Sequence, residues 1–338
     1  MKGAFDGKYG VMKDFEQFVN VYGFDRLQFI AGCGFELRTT RVLELLADHS
    51  DGNIDCTIVD LLNKNDRSFS RARRLQRPNM TAFESITSAH KWPMKKVVAD
   101  LYSQRFVAHR TLLNALSPIL RKFSGDFLLD ISSLPRSIAF PALRILWESK
   151  RTRNLFVAYT EDPSVGHLEK QAEKYRAPYF VPSFHPDPAS SSFRIWLPVL
   201  GSDYGPIKKI TNSYYFNDIY PIVGFPSSGP IETDEIIRRN QGIILGRSDK
   251  VIFASMNDPF QLAMKLNMLI DEIRRSLGAS VRMIISPHGS KPQSVGAFMT
   301  AVAQGAAMLY CQPLSYRSLP GKVGQSHIYW LKGKAYSS

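Results

Sequence analysis

Cysteine is scarce in this sequence: Cys33, Cys56 and Cys311 stand far apart, with no CxxC pair. An odd, scattered set of this kind predicts neither a disulfide framework nor a zinc site. HxH, HExxH and DxD patterns are also missing around the candidate histidines His109 and His288, so we expect no catalytic metal. Cys33 follows an apolar run, and we expect a small buried side chain there rather than a nucleophile.

Long apolar runs are missing as well. No run approaches the roughly 20 residues that a membrane-spanning helix needs. The opening residues, MKGAFDGKYGVMKDFEQF, mix acids with bases and lack the apolar core of a signal peptide. We therefore expect a cytoplasmic chain without a membrane partner. No cofactor motif stands out, and we expect no cofactor.

Acidic residues are outnumbered by basic ones. The chain has 30 Asp and Glu against 43 Lys and Arg, a formal net charge of +13. This excess favours a polyanionic partner through long-range attraction. The bases cluster in RSFSRARRLQR, where Arg67, Arg71 and Arg74 recur at helical spacing, and again at Lys95-Lys96. Such a cluster is either a solvated helix face or a surface that binds nucleic acid, and the sequence leaves both readings open.

Apolar strand-like runs alternate with amphipathic helical segments, the pattern of a parallel sheet covered by helices. The predicted strands are LQFIAG, DCTIVDL, DFLLDI and NLFVAY in the first half, and YPIVGF, KVIFAS, VRMIIS and AAMLYC in the second. The pattern predicts an α/β fold of two tandem Rossmann-like parallel-sheet units related by pseudo-duplication. The units are 1–165 and 219–338, and a Pro/Ser/aromatic connecting segment, 166–218, joins them.

The loop SPHGSKPQS, after the strand VRMIIS, has the chemistry of a phosphate site. Its candidate ligand-binding residues are His288, Gly289, Ser290, Lys291 and Ser294. Glycine lets the backbone approach a ligand, the serines offer hydroxyls and the lysine adds a positive charge. A helix predicted to begin near Val295 would present its N-terminus to the anion. The alternative is a tight turn in which Ser294 only caps the helix.

The first half carries two candidate loops of related composition. One contributes Ser132, Ser133 and Arg136, whose guanidinium can place two N–H groups on a phosphate. Pairing of Arg136 with Asp130 would instead make that loop purely structural. The other loop contributes Gly32 and Gly34, which we expect to face the ligand. It falls short of the GxGxxG fingerprint because a leucine stands at the third glycine position, and Glu36 and Arg38 are expected at its rim.

Other side chains at predicted strand ends have two readings each. The pairs Glu161-Asp162 and Asn257-Asp258 are either ribose ligands or caps of turns and helices. The aromatic run Tyr214-Tyr215-Phe216 is either a surface that stacks on a base or core packing between the halves.

The segment Gly289-Ser-Lys-Pro-Gln-Ser-Val-Gly-Ala297 resembles the Gly-Thr-Lys-Pro-Met-Ser-x-Gly-Ala loop of CARF domains, the CRISPR-associated Rossmann-fold sensors of cyclic oligonucleotides. Ser stands here for Thr, and Gln for Met. The resemblance implies that Ser290 and Lys291 contact a ribose-phosphate backbone. It also implies that the loop from Gly224 to Gly229, with Ser227 and Ser228, forms the opposite wall. Two such units in one chain resemble a pseudo-dimer of CARF domains, or the fused pair of SAVED sensors.

The expected function is a nucleotide-sensing module of prokaryotic antiviral defence. It would bind a phosphate-bearing signal, such as a cyclic oligonucleotide, in the cleft between the two halves and act on an effector protein. Two alternatives stay open: a metal-independent nucleotide phosphodiesterase of the ring-nuclease type, and a nucleic-acid-binding protein. The sequence does not decide whether the chain is an enzyme.

Overall fold

The computed structural model describes residues 11–50, 52–62, 69–100, 107–164, 175–186, 193–227, 231–314 and 321–333. The chain divides into two compact units. The described residues of the first unit are 11–164 and 321–333, and those of the second unit are 175–314. Some predictions lie outside the described residues: those for Arg67, Ser228 and Gly229, and those for the side chains of Arg71 and His109.

The described elements follow one another along the chain as β1 (Val11–Asp14), α1 (Phe15–Tyr22), β2 (Arg26–Cys33), α2 (Arg41–His49), β3 (Asn53–Leu62), α3 (Phe69–Ala89), β4 (Met94–Asp100), α4 (Val107–Lys122), β5 (Gly125–Asp130), α5 (Arg136–Glu148), β6 (Thr152–Thr160), β7 (Tyr179–Phe180), β8 (Arg194–Val199), α6 (Gly205–Ser213), β9 (Asp218–Ile219), β10 (Ile222–Gly224), α7 (Glu232–Arg239), α8 (Gln241–Ile244), β11 (Ile252–Ala254), α9 (Pro259–Leu277), β12 (Arg282–Pro287), α10 (Lys291–Gln304), β13 (Ala307–Tyr310) and β14 (Ser326–Lys332).

The first unit holds a mostly parallel sheet in the order β1-β14-β6-β5-β2-β3-β4. The strands from β6 to β4 in this order are parallel, and β14 lies antiparallel between β6 and β1. Numbered along the chain, the parallel strands run 3-2-1-4-5, the order of a Rossmann-type sheet. Strand β4 was not predicted from the sequence, because its Lys95-Lys96 pair breaks the apolar pattern of a strand.

The second unit holds a sheet in the order β11-β10-β8-β12-β13-β7, with β9 beside β8. Its strands are parallel except for β7, which is antiparallel to β13. Here too the parallel strands that form the path from β11 to β13 run 3-2-1-4-5 along the chain. The fold is therefore α/β and Rossmann-like in both units. Their common strand order is compatible with duplication, which stays a prediction.

The predicted boundaries of the second unit differ from the structure. Segment 166–218 is not a connector, since it supplies β8, the central strand of the second sheet. The strand YPIVGF, predicted as the first of this unit, is the second, and the final residues return to the first unit as β14. Pro198 hid the central strand, because proline cannot donate to a strand ladder and normally marks an edge. It nevertheless lies opposite Ser286 of β12.

Each unit has its own apolar core. In the first unit, Tyr22, Phe24 and Phe156 make edge or tilted ring contacts at 5.1–5.6 Å. In the second, Trp196 is fully buried and stacks on Phe216 with ring centroids 4.6 Å apart. Phe216 thus belongs to the core of one unit, while its neighbour Tyr215 is 72% exposed. Among the described helices, none combines the length and the apolar character needed to cross a membrane.

Candidate functional site

The loops after β8 and β12 meet at the carboxyl edge of the second sheet. These two strands are strand 1 and strand 4 of the parallel order, so the order reverses between them. Open α/β sheets bind ligands at this switch point. Val199 ends β8 directly opposite Pro287, the last residue of β12. We call the switch-point site the set of loop residues from Leu200 to Tyr204 and from His288 to Lys291.

Two glycines allow these loops to touch. A Cβ atom on Gly201 would lie 2.3 Å from the carbonyl oxygen of His288. One on Gly289 would lie 2.8 Å from Val199 Cγ1 and 3.2 Å from the carbonyl oxygen of Leu200. The first contact is with backbone, which cannot rotate away. Larger residues at these positions would therefore force the loops apart.

Helix α10 begins at Lys291, earlier in the chain than the predicted start near Val295. Ser290 is its N-cap and forms a capping box with Gln293. The Ser290 hydroxyl accepts from the Gln293 N–H at 3.1 Å and also donates to the carbonyl oxygen of Met256. The hydroxyl predicted to bind phosphate therefore serves the fold. Lys291, the first residue of the helix, is half-buried at the same edge.

The other two predicted residues of this loop take different positions. The Ser294 hydroxyl donates to the carbonyl oxygen of Ser290 at 2.9 Å, and Ser294 is 4% exposed. The alternative interpretation of this loop was a tight turn with Ser294 as the helix cap. The residue that caps the helix is Ser290. The ring of His288 stacks on Tyr310, with centroids 5.5 Å apart and planes 13° apart. His288 as a residue is half-buried, and its ring lies against Tyr310 at the switch point.

The loop after β8 holds a carboxylate that was not predicted from the sequence. Asp203 Oδ1 accepts the N–H of Gly205 at 2.8 Å, and its Oδ2 accepts the hydroxyl of Tyr175. Burial raises the pKa of Asp203, which the hydrogen bond from Gly205 and the charge of Arg239 partly oppose. Ionisable groups with perturbed pKa values cluster at functional sites. The sequence feature that could have revealed Asp203 is the spacing Gly201-Ser-Asp-Tyr-Gly205 after the apolar run RIWLPVL.

The loop expected to form the opposite wall follows β10, the second strand. A Cβ on Gly224 would lie 2.3 Å from Met256 Cγ, and the Gly224 carbonyl accepts the Thr233 hydroxyl at 2.7 Å. Gly224 is therefore buried in packing, while Ser227 is half-buried three positions along the chain. The CARF resemblance implied that the loop after the first strand of the unit forms the opposite wall. That loop is Gly201–Gly205, after β8, and not the loop from Gly224.

The corresponding switch point of the first unit is filled by the protein. A Cβ on Gly32 would lie 3.2 Å from the Cα of Leu134, and one on Gly34 would lie 2.9 Å from the Cβ of Ser133. The Ser132 hydroxyl accepts the N–H of Thr160 at 2.8 Å, and Ser132 is fully buried. Gly32 and Gly34 thus face the chain's own loop rather than an open crevice.

The remaining side chains of that loop bind one another or lie at its margin. The Ser133 hydroxyl donates to Glu36 Oε2 at 3.3 Å and shares a hydrogen bond of 2.7 Å with the Thr39 hydroxyl. Asp130 Oδ1 accepts the N–H of Ser132 at 2.8 Å. Arg136 is the first residue of α5 and is half-buried.

Arg38 was expected at the rim of this loop and is instead 4% exposed. Its guanidinium donates to Glu36 Oε2 at 3.0 Å and to the carbonyl oxygen of Thr160 at 2.8 Å. Burial works to lower the pKa of Arg38, but the charges of Glu36 and Tyr159 and the hydrogen bonds to them together raise that pKa above its usual range. The sequence could not show this, because the loop after β2 reaches the end of β6 only in the folded unit.

Helix α3 crosses the same loop. The side-chain amide of Gln76 donates to the carbonyl oxygen of Cys33 at 2.6 Å, and that of Asn79 donates to the carbonyl oxygens of Gly34 and Glu36 at 2.9 and 3.0 Å. The end of β2 is therefore covered by protein.

One aspartate of each pair at the strand ends is a cap, whereas Glu161 pairs with His327 Nε2 at 2.9 Å. Asp258 caps α9 by accepting the N–H groups of Phe260 and Gln261 at 2.9 and 3.0 Å. Asp162 accepts the N–H groups of Ser164 and Lys322, both at 3.0 Å. The capping interpretation is confirmed at both positions.

Cysteine chemistry has no support in the fold. Burial raises the pKa of Cys33, Cys56 and Cys311 to about 12, so each thiol stays protonated at neutral pH. Cys33 is fully buried, which confirms the prediction of a small core residue. Within the part of the chain that the structure describes, no group of three or more His, Cys, Asp or Glu side chains could hold a metal ion.

Comparisons with known proteins do not identify a family. No protein-family model matches the chain, and no curated protein matches it either. Among solved structures, a universal stress protein from Pseudomonas aeruginosa aligns at 11% identity with a TM-score of 0.24, covering 86% of this chain and 93% of that one. An N-terminal ketoreductase from a macrolactin assembly line aligns at 10% identity with a TM-score of 0.20, covering 88% and 71%. Overlaps this weak carry no conclusion about function.

Proposed function

We propose that this protein binds a phosphate-bearing nucleotide at the switch-point site of its second unit. The observation that carries the proposal is the close meeting of the two loops, in which Gly201 lies against the carbonyl oxygen of His288, Gly289 lies against Val199 and Leu200, and Lys291 begins α10. Because glycine has no side chain, the two loops can pack this closely, and their backbone together with the first turn of α10 forms the strand end that the ligand would approach. The ligand would lie at the carboxyl edge of the sheet, where this fold class binds nucleotides.

The phosphate end of the ligand is assigned to Lys291. Its side chain starts at the first turn of a helix, where the positive end of the helix dipole adds to its own charge. A charge-assisted contact of this kind contributes about 1.5–3 kcal/mol. The Ser290 hydroxyl is left to the helix cap, so Lys291 carries more of the phosphate recognition than the CARF-like loop alone would suggest.

The nucleoside end of the ligand is assigned to Asp203. A carboxylate offers about four acceptor positions, and the Gly205 N–H and the Tyr175 hydroxyl occupy one on each oxygen. The remaining positions suit the hydroxyls of a ribose. Asp203 and Lys291 follow adjacent strands, β8 and β12, at the same edge of the sheet.

A sensor of cyclic oligonucleotides in antiviral defence is the finer form of this proposal. The CARF-like segment from Gly289 to Ala297 and the common strand order of the two units support it. The metal-independent phosphodiesterase remains the alternative activity of the same site. In that reaction a ligand 2′-hydroxyl attacks the adjacent phosphorus, the bond to the neighbouring 5′-oxygen breaks, and the products are a 2′,3′-cyclic phosphate and a 5′-hydroxyl.

The proposal is tested by mass spectrometry of small molecules released when the purified protein is denatured. We expect a phosphate-bearing nucleotide from the wild type and much less from Lys291→Ala. Adding synthetic cyclic oligoadenylates and following them by chromatography separates a sensor, which leaves them intact, from an enzyme, which linearises them. Failure of both released and added nucleotides to bind the folded protein would overturn the proposal.

A further inference from the structure

The first unit contains a charged cluster that the proposed site does not use. Its centre is Asp60 of β3, which is 1% exposed and lies opposite Cys33, the last residue of β2. Arg73 of α3 donates to its two oxygens at 2.6 and 3.3 Å, and Gln76 donates to Oδ1 at 2.9 Å. Lys96 of β4 reaches Oδ2 at 3.3 Å. One buried carboxylate is therefore shared by two cations.

The charges of this cluster do not cancel. One guanidinium already neutralises the carboxylate of Asp60, so Lys96 leaves the group with a net positive charge. The two signs are also separated in space. The Asp60 side chain is 2% exposed, whereas those of Arg73 and Lys96 are 33% and 43% exposed. The group thus presents its positive ends to solvent.

Both cations are held in place before any ligand arrives. Arg73 donates to Gln76 Oε1 at 2.9 Å, and the amide nitrogen of Gln76 is anchored on the carbonyl oxygen of Cys33 at 2.6 Å. Lys96 lies on a strand whose neighbour carries Asp60, so its direction is fixed by the same carboxylate. Ordering flexible side chains costs conformational entropy on binding. Arg73 and Lys96 are already ordered by the fold, so a ligand would lose less of its binding free energy to this cost.

The chemistry of the cluster selects an anion over a hydroxyl. At this strand end many Rossmann-type domains hold ribose with an acidic residue. The oxygens of Asp60 already take four contacts, from Arg73 twice, Gln76 and Lys96, which uses the roughly four acceptor positions of a carboxylate. What remains for a ligand is positive charge, which binds phosphate.

We propose that Arg73 and Lys96, positioned by Asp60, form a phosphate-binding site in the first unit. Exposed Arg74 and Arg77 extend the positive charge along α3. This site lies in a different unit from the switch-point site and does not rest on the function proposed for it. Its ligand class is a phosphate ester or pyrophosphate group, as carried by nucleotides.

Neighbouring lysines supply a matched test. Lys95 and Lys96 are adjacent exposed residues of β4, but only Lys96 has an ion pair with Asp60 among the described residues. Lys96→Ala and Lys95→Ala remove the same charge from the same strand. Calorimetric titration with pyrophosphate, in a Lys291→Ala background that removes the other proposed site, isolates the first unit.

We expect Lys96→Ala to weaken pyrophosphate binding about tenfold or more and Lys95→Ala to change it by less than about twofold. Thermal unfolding of both variants is measured in parallel. Equal losses in the two variants would show diffuse attraction and overturn the site, as would no binding in the Lys291→Ala background. A Lys96→Ala variant that melts lower yet binds unchanged would show that Lys96 only neutralises Asp60.

A second experiment measures the binding of a labelled single-stranded oligonucleotide to the same two variants. If it binds, and binding falls equally in both variants and steeply with salt, the surface binds nucleic acid and the site is refuted.

Discussion

Replacing Gly201 with Ala tests the geometry of the switch-point site most sharply. The added Cβ would lie 2.3 Å from the carbonyl oxygen of His288, a distance that non-bonded carbon and oxygen atoms do not adopt. Because the contact is with backbone, the loops after β8 and β12 must separate. Overpacking of this kind costs about 1–3 kcal/mol. In a unit of this size, each 1 kcal/mol lowers the melting temperature by roughly 2–4 °C.

The assay is urea unfolding followed by calorimetric titration of the nucleotide identified by mass spectrometry. We expect the Gly201→Ala variant to lose about 1–3 kcal/mol of unfolding free energy and most of its ligand affinity. Gly242→Ala is the matched control, since its Cβ would meet only the hydroxyl of Tyr204, at an ordinary 3.4 Å. That change lies in helix α8 and should leave stability unchanged or raise it by up to about 1 kcal/mol. If Gly201→Ala is as stable as the control and binds normally, the two loops do not pack as described.

Further predictions address the fold and its ionisable groups. Lys332 donates to the carbonyl oxygens of Trp147 and Ser149, both at 2.8 Å, at the end of α5. Lys332→Met should therefore lower the unfolding free energy by about 1.5–3 kcal/mol in urea, and no loss would show that these contacts do not cap the helix. Because burial raises the pKa of Asp203, the folded chain holds that proton at pH values where the unfolded chain has released it. Stability should fall relative to Asp203→Asn as pH rises above the ordinary value of 3.8, and parallel pH profiles would contradict this. The three buried thiols should resist Ellman's reagent in native buffer and react after denaturation, whereas rapid native reaction would disprove their burial.

Element type was predictable where the apolar pattern was clean. DFLLDI and VRMIIS are buried on both faces, and each is a strand of a parallel sheet as predicted. The pattern failed where it was interrupted. Pro198 hid strand β8, and the Lys95-Lys96 pair hid strand β4. Both failures come from tertiary context. Hydrogen bonds to a neighbouring strand can hold a segment in the extended conformation even where its own residues disfavour a strand.

The candidate site was predictable in part. Polar loops at strand ends follow from strand order, and the structure places His288 to Lys291 at the carboxyl edge of the second sheet. Which hydroxyl is open to a ligand depends on partners distant in sequence. Ser290 is committed to the helix cap and to Met256, a contact that no local pattern shows. Asp203 was missed because its loop follows a strand that the sequence did not reveal.

Calorimetric titration of the wild type and Lys291→Ala measures whether Lys291 contacts the phosphate of a bound nucleotide. The ligand is the nucleotide that co-purifies with the protein, and thermal unfolding checks that both proteins are folded. The account predicts a loss of about 10- to 150-fold in affinity, equivalent to about 1.5–3 kcal/mol, with an unchanged melting temperature. Lys291→Arg should recover only part of it, because a planar guanidinium does not replace a compact ammonium. Equal affinity of the wild type and Lys291→Ala would contradict the account and leave this loop as a structural turn.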